Sequence, residues 1–277
     1  MTRAVPDWQI KDGALHTPLV MGIVNVTPDS FSDGGLWRGE SAVEHGLELL
    51  EAGADILDVG GESTRPGAAP VDEAEERDRV MSVVRGLASA GAVVSIDTMK
   101  PGVAAAAIDA GARIVNDVGG LSDPAMRRVV AESGAGVVIM HMQGEPRTMQ
   151  DEPVYDDVVK DIGAMLRERV DAALASGIDA AAIVLDPGIG FGKTLEHNLE
   201  LIRRMPELAE LGHHLLVGAS RKRFLGTVLG LDDPVERDRA TSILSALLFE
   251  RGVGIVRVHD VAGTREALSL VRAIVSA

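Results

Sequence analysis

Four residues of mixed chemistry, Asp97, Asn116, Asp186 and Lys222, each close or directly follow a short run of branched apolar residues. Two carboxylates, an amide and an ammonium placed in this way need a partner or a ligand, because an unpaired charge is costly to bring out of water. Arg257 and His259 are two residues apart in "GIVRVH" (254 to 259), so in an extended strand they share a face, and both can donate hydrogen bonds to an anion. The chain carries 27 Lys and Arg against 42 Asp and Glu, a net charge of −15. Against that background, gathered positive charge reads as a local anion site, whereas a large nucleic-acid footprint or an acidic membrane partner is disfavoured. Asn25, Asp58 with Glu62, Asp117, His141 and Ser220 fall at equivalent positions after other apolar runs. No cysteine is present, which excludes disulfides and thiolate metal sites and fits a reducing compartment.

The elements that must position these residues alternate regularly. Eight β-branched runs, at 19–26, 54–60, 92–97, 112–117, 136–141, 182–186, 214–220 and 254–259, are each followed by a segment of helical composition. Those helical segments are predicted at 41–53, 72–89, 101–110, 124–133, 155–176, 195–210, 236–251 and 261–275. Eight such units in one chain of 277 residues is the count of an α/β fold of the single (β/α)8 TIM barrel type, with residues 1–18 as an N-terminal leader and 19–277 as the barrel. An open doubly wound sheet usually has fewer strands, and no switch between two halves is visible. Ser41 with Glu44 has capping-box spacing, Asp123 before Pro124 suits an N-cap followed by N1, and Asp260 can cap the last helix. No stretch reaches the roughly 20 apolar residues of a membrane span, and the first 18 residues lack a signal-peptide core, so a soluble cytoplasmic protein is expected. In a parallel barrel the C-terminal ends of the strands form the functional face, which is where the polar residues above would converge.

The segment "LDPGIGFGKT" (185 to 194) resembles a phosphate loop at first sight, with glycines before Lys193 and Thr194. Its spacing is one residue too tight for that pattern. The better reading takes Asp186 as the functional strand end and the glycines as permission for a tight turn with close backbone approach to a flat ligand. Lys193 and Thr194 are read as turn residues.

Eight segments together carry a resemblance to a known family: "MGIVNVTPDSFSDGG" (21 to 35), "DVGGESTRPGA" (58 to 68), "SIDT" (95 to 98), "IVNDVGG" (114 to 120), "MHMQGEPRTMQ" (140 to 150), "LDPGIGFGKT" (185 to 194), "VGASRKRFLG" (217 to 226) and "VRVHDV" (256 to 261). They resemble the dihydropteroate synthases, pterin-binding enzymes of folate biosynthesis. The resemblance implies a transferase that condenses 6-hydroxymethyl-7,8-dihydropterin diphosphate with 4-aminobenzoate, giving 7,8-dihydropteroate and diphosphate with Mg2+ as the cofactor. It assigns the pterin to Asp97, Asn116, Asp186 and Lys222, and the diphosphate to Asn25, Arg257 and His259, with Asn25 as the metal ligand. The aminobenzoate side falls on Thr64, Arg65, Pro66, Phe191 and Ser220, with Ser32 and Asp33 on a lid that Gly34 and Gly35 allow to move. Asp97, Lys222, Arg257 and His259 are the catalytic candidates, whereas Arg221 and Arg223 are read as structural or surface charges.

These types suit the chemistry. A carboxylate accepts two parallel hydrogen bonds from an amino group and the adjacent ring N–H, and Asn116 offers both donor and acceptor. The expected pathway is SN1-like: diphosphate leaves the pterin methylene carbon, positive groups stabilise it, and carboxylates favour the cation left behind. Sulfonamides, as aminobenzoate mimics, are expected competitors, and a homodimer is implied by the resemblance. Two other readings share the pterin grip, a pterin-dependent methyltransferase and a non-catalytic pterin-binding paralogue. The first has no use for the anion site, and the second usually has damaged loops.

Overall fold

Eight parallel strands close on themselves in the computed structural model, which describes residues 5–26, 38–63, 67–144 and 147–275. In chain order the elements are β1 (Trp8–Ile10), β2 (Gly13–Leu15), β3 (Leu19–Asn25), α1 (Arg38–Glu51), β4 (Ile56–Gly60), α2 (Glu73–Ser89), β5 (Val94–Asp97), α3 (Pro101–Asp109), β6 (Ile114–Asp117), α4 (Pro124–Ser133) and β7 (Gly136–Met140). They continue with α5 (Val158–Ala175), β8 (Ile183–Asp186), α6 (Leu195–Arg203), α7 (Met205–Ala209), β9 (His214–Val217), α8 (Arg223–Leu229), α9 (Asp238–Glu250), β10 (Val253–Val258) and α10 (Val261–Val275). Strands β3 to β10 pair in sequence order and β10 pairs back onto β3, so the expected TIM barrel is what the chain forms.

Strand alternation sets up both the core and the site. On β4, β6, β8 and β10 the interior residues Ile56, Ile114, Val184 and Ile255 belong to one buried cluster inside the barrel. Two residues further along the same strands, on the same face, stand Asp58, Asn116, Asp186 and Arg257. A polar layer therefore lies directly above an apolar one. The outward-facing residues, among them Val20, Leu57, Ile96, Val115 and Val256, pack under the helices in a second cluster.

The leader closes the opposite end. β1 and β2 form an antiparallel pair, and Trp8, fully buried, joins the interior cluster and donates from Nε1 to the Ala182 carbonyl at 2.8 Å. This hairpin and α8 are elements that the sequence reading did not anticipate. Some boundaries also moved. The α1 helix begins at Arg38, so Ser41 lies inside it and is not an N-cap. The segment 195–210 is two helices, broken at Arg204 just before Pro206, which cannot donate a backbone N–H to the preceding turn. Asp123 caps α4 through Ala125 N with Pro124 at the first position, and Asp260 accepts from Gly263 N at 3.1 Å, as the spacing predicted.

Candidate active site

Arg257 organises the floor of the polar layer. Its Nε donates to Asp58 Oδ2 at 2.6 Å and its Nη2 to Asp97 Oδ2 at 2.8 Å. Asn116 Nδ2 donates to the same Asp58 oxygen at 3.0 Å, while the other Asp58 oxygen is buried without a partner among the described residues. Asp58 is wholly buried, so among the described residues its charge is compensated by these contacts. Burial, opposed by Arg257, pushes Asp97 up to about 7, with further upward contributions from Asp58, Glu76 and Asp117. Burial works against the charge of Arg257, but Asp58 and Asp97 outweigh it and strengthen its hold on the proton. The guanidinium that the resemblance assigns to diphosphate thus stands anchored to two carboxylates.

The second half of the site is the turn after β8. Asp186 Oδ1 accepts from Gly188 N at 2.7 Å, and burial raises its proton affinity against the opposing charge of Lys222. Lys222, the residue before α8, donates to the Ile189 carbonyl and sits 4.2 Å from the centre of the Phe191 ring. Burial pushes its ammonium down to about 7, opposed by Asp186, with Arg257 acting in the same direction as burial. Arg257 also acts on Asp186, so the floor and the turn share one electrostatic basin. The turn tolerates only glycine at 188, where φ is 66° and a Cβ would come within 1.9 Å of the His141 carbonyl oxygen.

Lys193 is not directed at a phosphate. Only 3% exposed, it donates to the Phe191 carbonyl at 2.8 Å and lies 3.0 Å from His141 Nδ1. Burial lowers it to about 7, and burial with the neighbouring Lys193 charge lowers His141 to about 3, which leaves the imidazole neutral near neutrality. Thr194 is the N-cap of α6 in a capping box with His197. The phosphate-loop reading is therefore excluded by where the two side chains go.

Ser220, 7% exposed, stands 2.9 Å from His259 Nδ1 and accepts from His259 N at 3.1 Å. The hydroxyl expected to serve aminobenzoate is thus engaged with the histidine expected to serve diphosphate. Arg221 pairs with Asp238 through two bonds of 2.7 Å, and Arg223 is exposed, in keeping with structural and surface roles. Asn25 ends β3, half-buried. Among the described residues no cluster of three or more His, Cys, Asp or Glu side chains could hold a metal. Ser32, Asp33, Gly34 and Gly35 of the expected lid, and Thr64, Arg65 and Pro66, lie outside the described residues.

Several residues important to the geometry were not singled out by spacing. Asp58 had been noted only as a strand end, although its position two residues after Ile56 on an alternating strand was a usable signal. Asp117 faces outward and accepts from Gly119 N and Leu121 N, which makes it a turn-former. Asn198, buried on α6, accepts from Gly190 N at 2.7 Å, and Tyr155, the single tyrosine, donates to the Gly192 carbonyl at 2.8 Å. Lys100 bridges Glu62 and the fully buried Glu76, tying the start of the β4–α2 loop to the residues after Asp97.

Comparison with known proteins gives a consistent result. A family model described as pterin binding enzyme matches residues 21–259. The dihydropteroate synthase of Mycobacterium leprae (strain TN) is 48% identical over 92% of each chain. The solved structure of Xanthomonas albilineans dihydropteroate synthase with 4-aminobenzoic acid is 44% identical, with a TM-score of 0.92 over 98% of this chain and 100% of that one. The Yersinia pestis dihydropteroate synthase in a sulfonamide drug complex is 42% identical, with a TM-score of 0.93 over the same shares, 98% and 100%.

Proposed function

We infer that this chain, which belongs to the dihydropteroate synthase family of pterin-binding enzymes, condenses 6-hydroxymethyl-7,8-dihydropterin diphosphate with 4-aminobenzoate, giving 7,8-dihydropteroate and diphosphate. The observation that carries the reading is the polar layer, where Asp97, Asn116, Asp186 and Lys222 meet around one anchored arginine above a dry core. Asp186, steadied at one oxygen by Gly188 N, suits the amino group and ring N–H of a pterin, and Lys222 suits a ring carbonyl.

The C–O bond between the pterin methylene and diphosphate breaks with its electron pair going to oxygen, and the arylamine nitrogen then bonds to the carbon and loses a proton to solvent. Asp97 and Asp186 favour the cationic pterin between these events, and Arg257 with His259 are assigned to the departing charge, which Arg257 would meet from its anchor on Asp58 and Asp97. Phe191 and Pro66 are assigned to the wall against which aminobenzoate packs, with Thr64, Arg65 and Ser220 around its carboxylate and Asp33 on the covering loop. Asn25 would supply a neutral oxygen to Mg2+, a hard cation that oxygen donors suit. When bound, that ion neutralises diphosphate charge.

Sulfonamides are proposed as competitors for the aminobenzoate side. A homodimer is proposed through α9 and α10, where Ile243, Leu270 and Ile274 are each more than 60% exposed. Among the described residues no helix is long and apolar enough to cross a membrane, and a cytoplasmic location is proposed. The reading is tested by following diphosphate release with Mg2+, with and without aminobenzoate. Release coupled to dihydropteroate formation, and largely lost in Lys222→Ala, is expected. Tight pterin binding without turnover would leave a non-catalytic binding protein instead.

A further inference from the structure

Four consecutive carbonyls at the tip of the turn after β8 each accept a side-chain hydrogen bond. Ile189 takes Lys222, Gly190 takes Gln150 at 2.6 Å, Phe191 takes Lys193 at 2.8 Å, and Gly192 takes Tyr155 at 2.8 Å. Water would satisfy the carbonyls of an ordinary surface turn without ordering any long side chain, so this arrangement fixes the turn at a conformational cost. Lys193 stands apart from the other three because its ammonium is almost completely withdrawn from solvent and also lies 3.0 Å from His141 Nδ1. His141 follows β7, and its backbone N–H donates to the Asp186 carbonyl at 2.9 Å. The lysine thus links the rigid barrel rim to the residue at the tip of the turn. Phe191 N closes the turn on the Gly188 carbonyl at 3.0 Å, and the Phe191 ring lies against the Lys222 ammonium.

We propose that Lys193, with His141 as its acceptor, is a positioning residue for aminobenzoate: it fixes the backbone of Phe191 so that the ring holds its place as a wall for the incoming arylamine. The proposal rests on the synthase reading and deepens it. Lys193 reaches aminobenzoate through the backbone of Phe191, and its charge also opposes the rise in the proton affinity of Asp186. The pterin contacts Asp97 and Asn116 keep their own anchors on Arg257 and Asp58, whereas Asp186 and Lys222 border the turn itself.

The experiment compares wild type, Lys193→Met, Phe191→Ala and the double variant, measuring steady-state kinetics for both substrates and calorimetric binding of the dihydropterin diphosphate. Lys193→Met raises the aminobenzoate KM about tenfold, the effect of one lost buried hydrogen bond, while pterin affinity falls by a clearly smaller factor. In the Phe191→Ala background the same change adds nothing to that KM. Equal losses for both substrates, no loss, or an undiminished effect without Phe191 each overturn the proposal. Should Lys193→Met not fold, His141→Leu keeps the lysine but removes its ring acceptor, and the same selective rise is required of it. A wild-type chain that binds pterin but makes no dihydropteroate overturns the synthase reading itself and the proposal with it.

Discussion

Asp58 offers the sharpest test of how the floor of the site works. Its Oδ2 accepts from Arg257 Nε at 2.6 Å and from Asn116 Nδ2 at 3.0 Å, and its Oδ1 is buried with no partner among the described residues. In Asp58→Asn the amide oxygen can take the place of Oδ2 and keep both donors. The amide nitrogen then occupies the position of the orphan oxygen, so two N–H donors are buried unpaired where one acceptor was. The Arg257 bond also loses its charge assistance, although Asp97 still holds the guanidinium. A weakened charged bond and a newly stranded amide NH2 group together cost about 2 kcal/mol, on the order of 30-fold in affinity for a ligand that needs Arg257 and Asn116 in place. Calorimetric titration with the dihydropterin diphosphate measures this directly. A second readout has its own sign. Asp58 is among the groups that raise Asp97, so removing its charge moves Asp97 below about 7, and the acid limb of the pH–rate profile shifts to lower pH. Wild-type pterin affinity together with an unmoved acid limb would refute the anchoring role.

Other expectations follow from the same geometry. Lys222 is protonated below about 7 and loses its charge as pH rises, so kcat/KM for the pterin substrate falls on that side, and Lys222→Arg abolishes this basic limb because a guanidinium does not titrate there. The lowered Lys222 also destabilises the fold in its charged form: the penalty is full below about 7 and is relieved between there and the ordinary lysine value of 10.5, so the melting temperature of Lys222→Met gains on wild type at pH 6 and loses that advantage by pH 10. Trp8→Ala, which empties the plug and strands the Ala182 carbonyl, costs about 3–5 kcal/mol and lowers the melting temperature by roughly 10 °C, with the turnover of the folded enzyme at low temperature unchanged.

The barrel was legible in the sequence because each unit repeats the same local decision. A run such as "IVND" is too short and too branched for a helix, and the Gly after each helix announces the next strand. What escaped were elements whose signal is weak by nature. "WQI" and "GAL" are three residues each and form a hairpin only because Trp8 and Ile10 find the open bottom of the barrel, a tertiary cause that no local window contains. The break at Arg204 was readable from Pro206, and the early start of α1 was not readable from Ser41, whose capping spacing with Glu44 also fits the interior of a first turn.

At the site, the distinction is between where a side chain starts and where it goes. Strand ends put Asp97, Asn116 and Asp186 in one basin because position along an alternating strand determines the face, while Lys222 reaches it from the residue before α8. The use of a long side chain is not determined in this way. Arg257 leaves a strand that points toward the expected anion, yet its guanidinium turns down onto Asp58 and Asp97, since two buried carboxylates in a low-dielectric floor attract it more strongly than open solvent does. Lys193 leaves a glycine-rich turn that suggests phosphate, yet its ammonium goes under the turn to His141. In both cases the deciding partner lies far away in sequence, Asp58 being 199 residues from Arg257 and His141 being 52 from Lys193. The same cations therefore serve first as the internal braces of an acidic barrel, and their availability to a ligand depends on how firmly those braces hold.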